Sequence, residues 1–298
     1  MKKAIFLICI ITMISITIFG CGDSSVMSGD AATYEVSNTD RNNEDSAYQG
    51  DSENENAINS SSRIDEPISI SSVNSKTSFF DFDTIFNSES KYSVEVLAQK
   101  IKEQFDSNNE NSLIDISYDN IDCGNDNKEE VLVTISYDFP TGYYEVYLVV
   151  SGNEDNHELD FIIDAGQTDE VSIDKSGRVE KSRNVEANVR NYEYGHIDSE
   201  GVYCFDYGKN YYLTSLNFEK LKETDESWGD IQIEEYYFTE DVSLQEYKYC
   251  IFKLDENFEK NYDESLYDQN GKYYKAFSDA GLCLVSSNEI EECINDAV

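Results

Sequence analysis

Apolar and polar positions alternate with a period of two along most of this chain, and only a few stretches carry the 3.6-residue period of a helix. Val131, Val133, Ile135, Tyr137 and Phe139 fall on one side of an extended segment. Pro140-Thr141-Gly142 then turns the chain, and Tyr144, Val146, Leu148 and Val150 form the return strand. A short strand at Leu113–Tyr118 precedes this pair. Further strands are expected at Leu159–Ile163, Val171–Ile173, Val179–Val189, His196–Ile197, Val202–Tyr207 and Tyr211–Leu216. Gly152, Gly166, Gly177 and the Asp198-Ser199-Glu200-Gly201 turn punctuate them.

Helical spacing is clearest after Ser93, an N-cap residue. Val94, Leu97, Ala98, Ile101 and Phe105 then share one face, and Asp106-Ser107-Asn108-Asn109 ends the pattern. Toward the C-terminus, Phe218–Lys222 reads as a helical turn, Ile231–Phe238 and Tyr247–Leu254 as a strand pair, and Tyr274–Ala280 as helical. A short strand at Leu282–Val285 follows, and Ser286 with Glu289 has capping-box spacing for a final helix through Ile294. The expected fold is α+β and mainly β: an antiparallel meander sheet with an N-terminal amphipathic helix and a short C-terminal helix, forming one domain over residues 77–298.

The first seventy-six residues follow neither period. Lys2 and Lys3 precede an uncharged run, Ala4–Ile18, that ends in Ile18-Phe19-Gly20-Cys21. The run is too short for a membrane span of roughly 20 residues. Its ending resembles the lipobox of bacterial lipoproteins. That resemblance implies removal of residues 1–20 as a signal peptide, a diacylglycerol on the Cys21 sulfur, and attachment to the outer face of the cell membrane. Residues 21–76 are rich in Ser, Asn, Asp and Glu with large apolar side chains scattered singly. Such a segment cannot bury enough surface to offset its ordering entropy, and it reads as a disordered acidic tether.

Charge narrows the partners. The chain has 61 acidic and 22 basic residues, a formal net charge of −39, which opposes phosphate backbones and anionic headgroups. Nucleic acid is thereby disfavoured, and contact with the membrane is left to the lipid. Five cysteines follow Cys21, namely Cys123, Cys204, Cys250, Cys283 and Cys293. An odd number cannot be fully paired, and Cys204, Cys250 and Cys283 sit in apolar strand patterns that favour free core thiols.

One loop carries candidate chemistry. In Asp122-Cys123-Gly124-Asn125-Asp126-Asn127-Lys128-Glu129-Glu130, the carboxylates of Asp122, Asp126 and Glu130 and the carbonyl of Lys128 take four positions of a calcium loop. Gly124 offers no side chain at the third position, Asn127 stands where a turn glycine is usual, and a solvated acidic turn satisfies the same residues. Calcium is the only cofactor suggested. Ile121-Asp122-Cys123-Gly124-Asn125-Asp126 with Glu130-Val131-Leu132 also resembles a segment of uncharacterised surface lipoproteins from low-GC Gram-positive bacteria. The likeness extends to Ser176-Gly177 and His196–Tyr203. It implies kinship and no particular activity.

Catalytic motifs are missing from the sequence: it has no H-E-x-x-H, no G-x-S-x-G and no phosphate-cradling loop. His157 and His196 have no partner legible in the sequence, and an enzyme without a recognisable motif stays as an alternative behind a binding or accessory role. The 22 tyrosines include the pairs Tyr143-Tyr144, Tyr211-Tyr212, Tyr236-Tyr237 and Tyr273-Tyr274. On strands, each pair is expected to place one ring in the core and one outside. Outward rings, beside Trp228 above all, would serve a binding module for a glycan or protein ligand; dispersed rings would suit an accessory lipoprotein without a ligand. Because thioether formation precedes cleavage, Cys21→Ser should leave an uncleaved precursor that takes up no fatty-acid analogue on metabolic labelling. Label retained by the variant would refute the lipobox assignment.

Overall fold

The computed structural model describes residues 64–105, 112–139, 142–153, 156–215, 218–221 and 228–298. The expected signal peptide, Cys21 and the tether through residue 63 lie outside them, as do the expected helix stop at 106–109 and the turn residues Pro140 and Thr141. Residues 57–298 form one compact unit, and it is mainly β.

Its first half begins with short strands β1 (Ile68–Ser69) and β2 (Asn74–Lys76). The helical turn α1 (Phe82–Ile85), strand β3 (Lys91–Tyr92) and helix α2 (Val94–Phe105) follow. Four long strands come next: β4 (Ser112–Ile121), β5 (Glu130–Phe139), β6 (Gly142–Asn153) and β7 (Asn156–Ala165). They pair as an antiparallel meander, and β1 and β2 add to β7 in parallel, with β3 outside β1. The apolar stripe of α2 lies on one face of this sheet, where Leu97, Ala98 and Ile101 meet Val133, Ile135, Tyr137 and Leu148. Tyr137 donates its buried hydroxyl to the carbonyl of Ala98 at 2.6 Å, which satisfies that group between helix and sheet. The opposite face, with Leu132, Val149, Phe161 and Ile163, packs on Val179 and Ile197 of the second sheet.

That second sheet is a meander of β8 (Asp169–Ile173), β9 (Arg178–Glu186), β10 (Val189–Ile197), β11 (Tyr203–Tyr212), β12 (Gln232–Tyr237), β13 (Lys248–Leu254) and β14 (Lys260–Asn261). After helix α3 (Lys272–Asp279), the two-residue strand β15 (Cys283–Leu284) joins β13 in parallel, and helix α4 (Ser287–Ala297) ends the chain. The expected capping box is present: Ser286 Oγ accepts from the Glu289 N–H, and the Glu289 carboxylate accepts from the Ser286 N–H at 2.8 Å.

Hairpins β8–β9, β10–β11 and β13–β14 share one turn. Asp174, Asp198 and Asp255 each accept from the N–H groups two and four residues on, at 2.8–3.0 Å. The fourth turn position needs positive φ, which glycine adopts freely at Gly177 (78°) and Gly201 (76°). Phe258 occupies it at 63° in the third turn.

Three expectations are corrected. The strands form two sheets, because the turn at Gly166–Thr168 carries the chain from β7 into a separate layer. The strand expected over Val179–Val189 is broken at Ala187-Asn188, so that Val189–Ile197 is a full strand of its own. The domain also starts before Thr77. Ile64, Ile68 and Ile70 are buried in the first core, and β2 pairs with Phe161–Ile163. Single isoleucines spaced along a polar segment give no period, yet each finds a place in a sheet built by distant residues. Accordingly, a chain beginning at Thr77 should be less stable in urea than one beginning at Ala57 by about 3 kcal/mol or more, since each buried isoleucine contributes about 1.5–3 kcal/mol. Equal midpoints would make β1 and β2 dispensable.

Candidate functional site

Residues directly opposite in antiparallel strands project from the same face. Across β9 to β12 the register therefore builds rows on one face of the second sheet. Arg178, His196 and Cys204 form the first, and Glu180, Tyr194 and Tyr207 the second. Ser182, Tyr192, Lys209 and Tyr236 form the third, and Asn184, Arg190, Tyr211 and Glu234 the fourth. The rings line up across the strands. Tyr192 and Tyr194 stack with centroids 6.4 Å apart, Tyr194 and Tyr207 at 4.5 Å, and Tyr207 lies 6.3 Å from Tyr236. Lys209 Nζ sits 5.1 Å from the centre of the Tyr192 ring and 5.8 Å from that of Tyr194; the Arg190 guanidinium covers Tyr192 at 5.4 Å. Tyr192, Tyr194, Tyr207, Lys209, Tyr211 and Arg190 are all half-buried. Helix α4 covers the neighbouring part of the face, with Ile290 and Ile294 against Tyr236, Cys250 and Tyr207.

Beneath the rings lies Glu234, with no exposed surface. Its carboxylate accepts from Lys260 Nζ at 2.7 Å, Tyr236 Oη at 2.9 Å and Tyr262 Oη at 3.0 Å, and pairs with Lys209 at 3.2 Å. Burial alone would raise its pKa. The Lys209 and Lys260 charges and the hydrogen bonds more than offset this, and the carboxyl titrates below its ordinary value. The next residue, Glu235, is buried on the opposite face, paired with Lys220 and accepting from Asn210 Nδ2 at 2.9 Å.

At the end of the aromatic face, a cleft of about 320 Å³ is lined by Arg178, His196, Asp206, Ser176 and Ser199. His196 Nδ1 is 2.8 Å from the buried Asp206 carboxylate, a partner that the sequence did not disclose. A His–Asp pair orients an imidazole, but Ser176 gives its hydroxyl to Asp174 instead. Cys204, in the same row as His196, directs its thiol to the Val202 carbonyl.

Each carboxylate of the calcium loop has a donor within the chain. The Asp122 carboxylate accepts from the Asn127 N–H at 3.2 Å, and hydrogen bonds from the side chain and backbone of Lys128 hold Asp126 below the ordinary carboxylate range. Glu130 turns inward to the Cys123 N–H at 2.7 Å, and burial raises its pKa. No group of three His, Cys, Asp or Glu side chains able to hold a metal occurs among the described residues. The loop instead builds a junction: its Gly124 lies against the backbone of Ser199, and the Asp122 N–H donates to the Lys175 carbonyl at 2.9 Å.

Two other expectations change. Only Tyr143-Tyr144 divides between surface and core; Tyr236 and Tyr237 are both buried, because β12 is covered on both faces. Trp228, 3 % exposed, belongs to the core with Phe218 and Phe277, far from any outward row in packing terms. Of the five cysteines, all free, Cys123 and Cys250 are buried and burial pushes both thiols up to about 12, whereas Cys283 is exposed. In the sequence the outward row is written only as alternation at Tyr192/Tyr194 and Tyr207/Lys209/Tyr211, a pattern that many strands share. No helix among the described residues is long and apolar enough to cross a membrane. No family model, curated protein or solved structure matches the chain.

Glu234→Ala should cost about 2–3 kcal/mol at pH 7, since it leaves the half-buried Lys209 and the hydroxyls of Tyr236 and Tyr262 without their acceptor. Because the folded carboxyl titrates below its unfolded value, its contribution is complete above the ordinary carboxylate range and is lost as pH falls through the folded pKa. The stability gap to Glu234→Gln, measured by chemical denaturation, should therefore narrow in acid. A gap that is constant with pH would show that the charge is not what matters.

Proposed function

We propose that the chain is an extracytoplasmic lipoprotein, anchored by diacylglycerol on Cys21, whose compact unit is a binding module for a hydroxyl-rich ligand of the glycan class. The observation that carries this reading is the half-exposed row Tyr192–Tyr194–Tyr207 with Lys209 and Arg190. Its ring faces are taken up by one another and by the two cations. What remains for a partner is the ring edges with their hydroxyls, bordered by Arg190 and the exposed Glu180 as donor and acceptor. That inventory matches a polyol better than a flat apolar ligand, which would need free ring faces. The acidic charge of the chain argues against anionic polymers.

The same geometry fits an accessory lipoprotein less well, since a sheet without a ligand would be served by dispersed rings as well as by a row on one face. A glycan-array screen of the lipid-free chain from Cys21 onward tests the proposal. At least one glycan class is expected to bind, and Tyr194→Ala with Arg190→Ala should weaken it about tenfold, as for loss of contacts worth about 1.4 kcal/mol. A blank array, or binding indifferent to these substitutions, would leave the positional, ligand-free role standing.

A further inference from the structure

Where β5 and α2 end and β6 begins, five aromatic rings line a cavity of about 320 Å³: Phe79, Phe105, Phe139, Tyr143 and Tyr144. They stand at steep angles to one another. Phe79 meets Tyr144 at 90° and 5.6 Å, Phe139 meets Tyr144 at 71° and 5.6 Å, Phe105 meets Phe139 at 76° and 5.8 Å, and Phe105 meets Tyr144 at 60° and 5.2 Å. In these contacts the edge of one ring meets the face of another, which makes Tyr144 the buried hub of the cluster and leaves the cavity to be met through the partly exposed Phe79 and Tyr143.

The box is braced from behind by one carboxylate. Asp164, with no exposed surface, accepts the Tyr144 hydroxyl at 3.1 Å and the N–H groups of Ser78 and Phe79 at 2.7 and 2.9 Å. Two walls, Tyr144 and the Phe79 backbone, are thereby fixed by the same group before any ligand arrives. The other side is open: Phe79 and Tyr143 keep 40 % and 48 % of their surface in water.

The lining selects a ligand class by what it offers. Among the described residues its polar side chains are Gln167, Thr168 and the hydroxyls of Tyr143 and Tyr144, of which the last is given to Asp164, and none of them is cationic. A sugar would leave its hydroxyls unpaired here and an anion would find no counter-charge. A quaternary ammonium carries no N–H to satisfy, sheds water cheaply, and is drawn to the negative faces of aromatic rings. A chain of net charge −39 favours it further over an uncharged group of the same shape. We propose that this aromatic box binds a quaternary ammonium group of the kind choline carries, at a site separate from the aromatic face of the second sheet.

The full mature chain can be titrated by calorimetry with choline and with 3,3-dimethylbutan-1-ol, its uncharged isostere, at fixed ionic strength. Choline is expected to bind about tenfold more tightly than the alcohol, and Tyr143→Ala or Phe79→Ala to weaken it about tenfold each. Tyr143 is the more exposed of the two, so Tyr143→Ala should keep a melting temperature close to wild type, whereas Phe79→Ala also loses packing on Tyr144; Tyr143→Phe should keep the affinity, since the ring and not its hydroxyl makes the contact. Vesicles bearing choline headgroups that compete with free choline would identify a lipid as the source of the group, and vesicles that do not compete would identify a soluble one. Equal affinity for the alcohol, no binding of either compound, or choline binding unaffected by Tyr143→Ala would each overturn the proposal. Tyr194→Ala should leave choline binding unchanged, so failure here and failure of the glycan reading remain distinct.

Discussion

Two successive carboxylates, Glu234 and Glu235, are buried on opposite faces of strand β12, and the second sheet is arranged around that constraint. An isolated buried carboxylate would cost far more than the fold could offset. Lys209 from β11 and Lys260 from β14 therefore close on Glu234, while Lys220 closes on Glu235 from the other side. In a chain with 61 acidic and only 22 basic residues, three lysines committed to one strand form a concentrated use of a scarce group. The tyrosines around them follow from the same need, because each supplies a hydroxyl to a carboxylate and a ring to the apolar packing.

The two sheets differ for this reason. The first is apolar on both faces and is sealed by α2 on one side and by Val179 and Ile197 on the other. The second carries charge through its middle, and its open face ends as a row of half-buried rings braced by Lys209 and Arg190. A cation that both neutralises Glu234 and lies over Tyr192 and Tyr194 links the internal charge balance to the outer surface. Loss of Glu234 would accordingly disturb the aromatic row as well as the core.

Many of the remaining acids serve the backbone. Asp174, Asp198 and Asp255 cap three hairpin turns, and Asp122 accepts from the Asn127 N–H in the loop that meets two of them. That loop is a structural junction, with Gly124 in place so that the Ser199 backbone can approach.

What the sequence by itself determined was local. Period-two alternation marked β5, β6 and β7, and helical spacing after Ser93 marked α2. Ser286 with Glu289 marked the start of α4, because caps and alternation are written in residues a few positions apart. Only the tertiary structure decided what distant residues do together. It divided the strands into two sheets at Gly166–Thr168 and brought Ile64, Ile68 and Ile70 into a core that their own neighbours could not build. It also paired His196 with Asp206 and turned Tyr192, Tyr194 and Tyr207 toward one another. In a chain with 61 carboxylates and 22 tyrosines, composition could not single out Glu234 or Tyr194. Their roles come from strand register, which the meander fixes through pairings between strands and which no single strand's sequence contains.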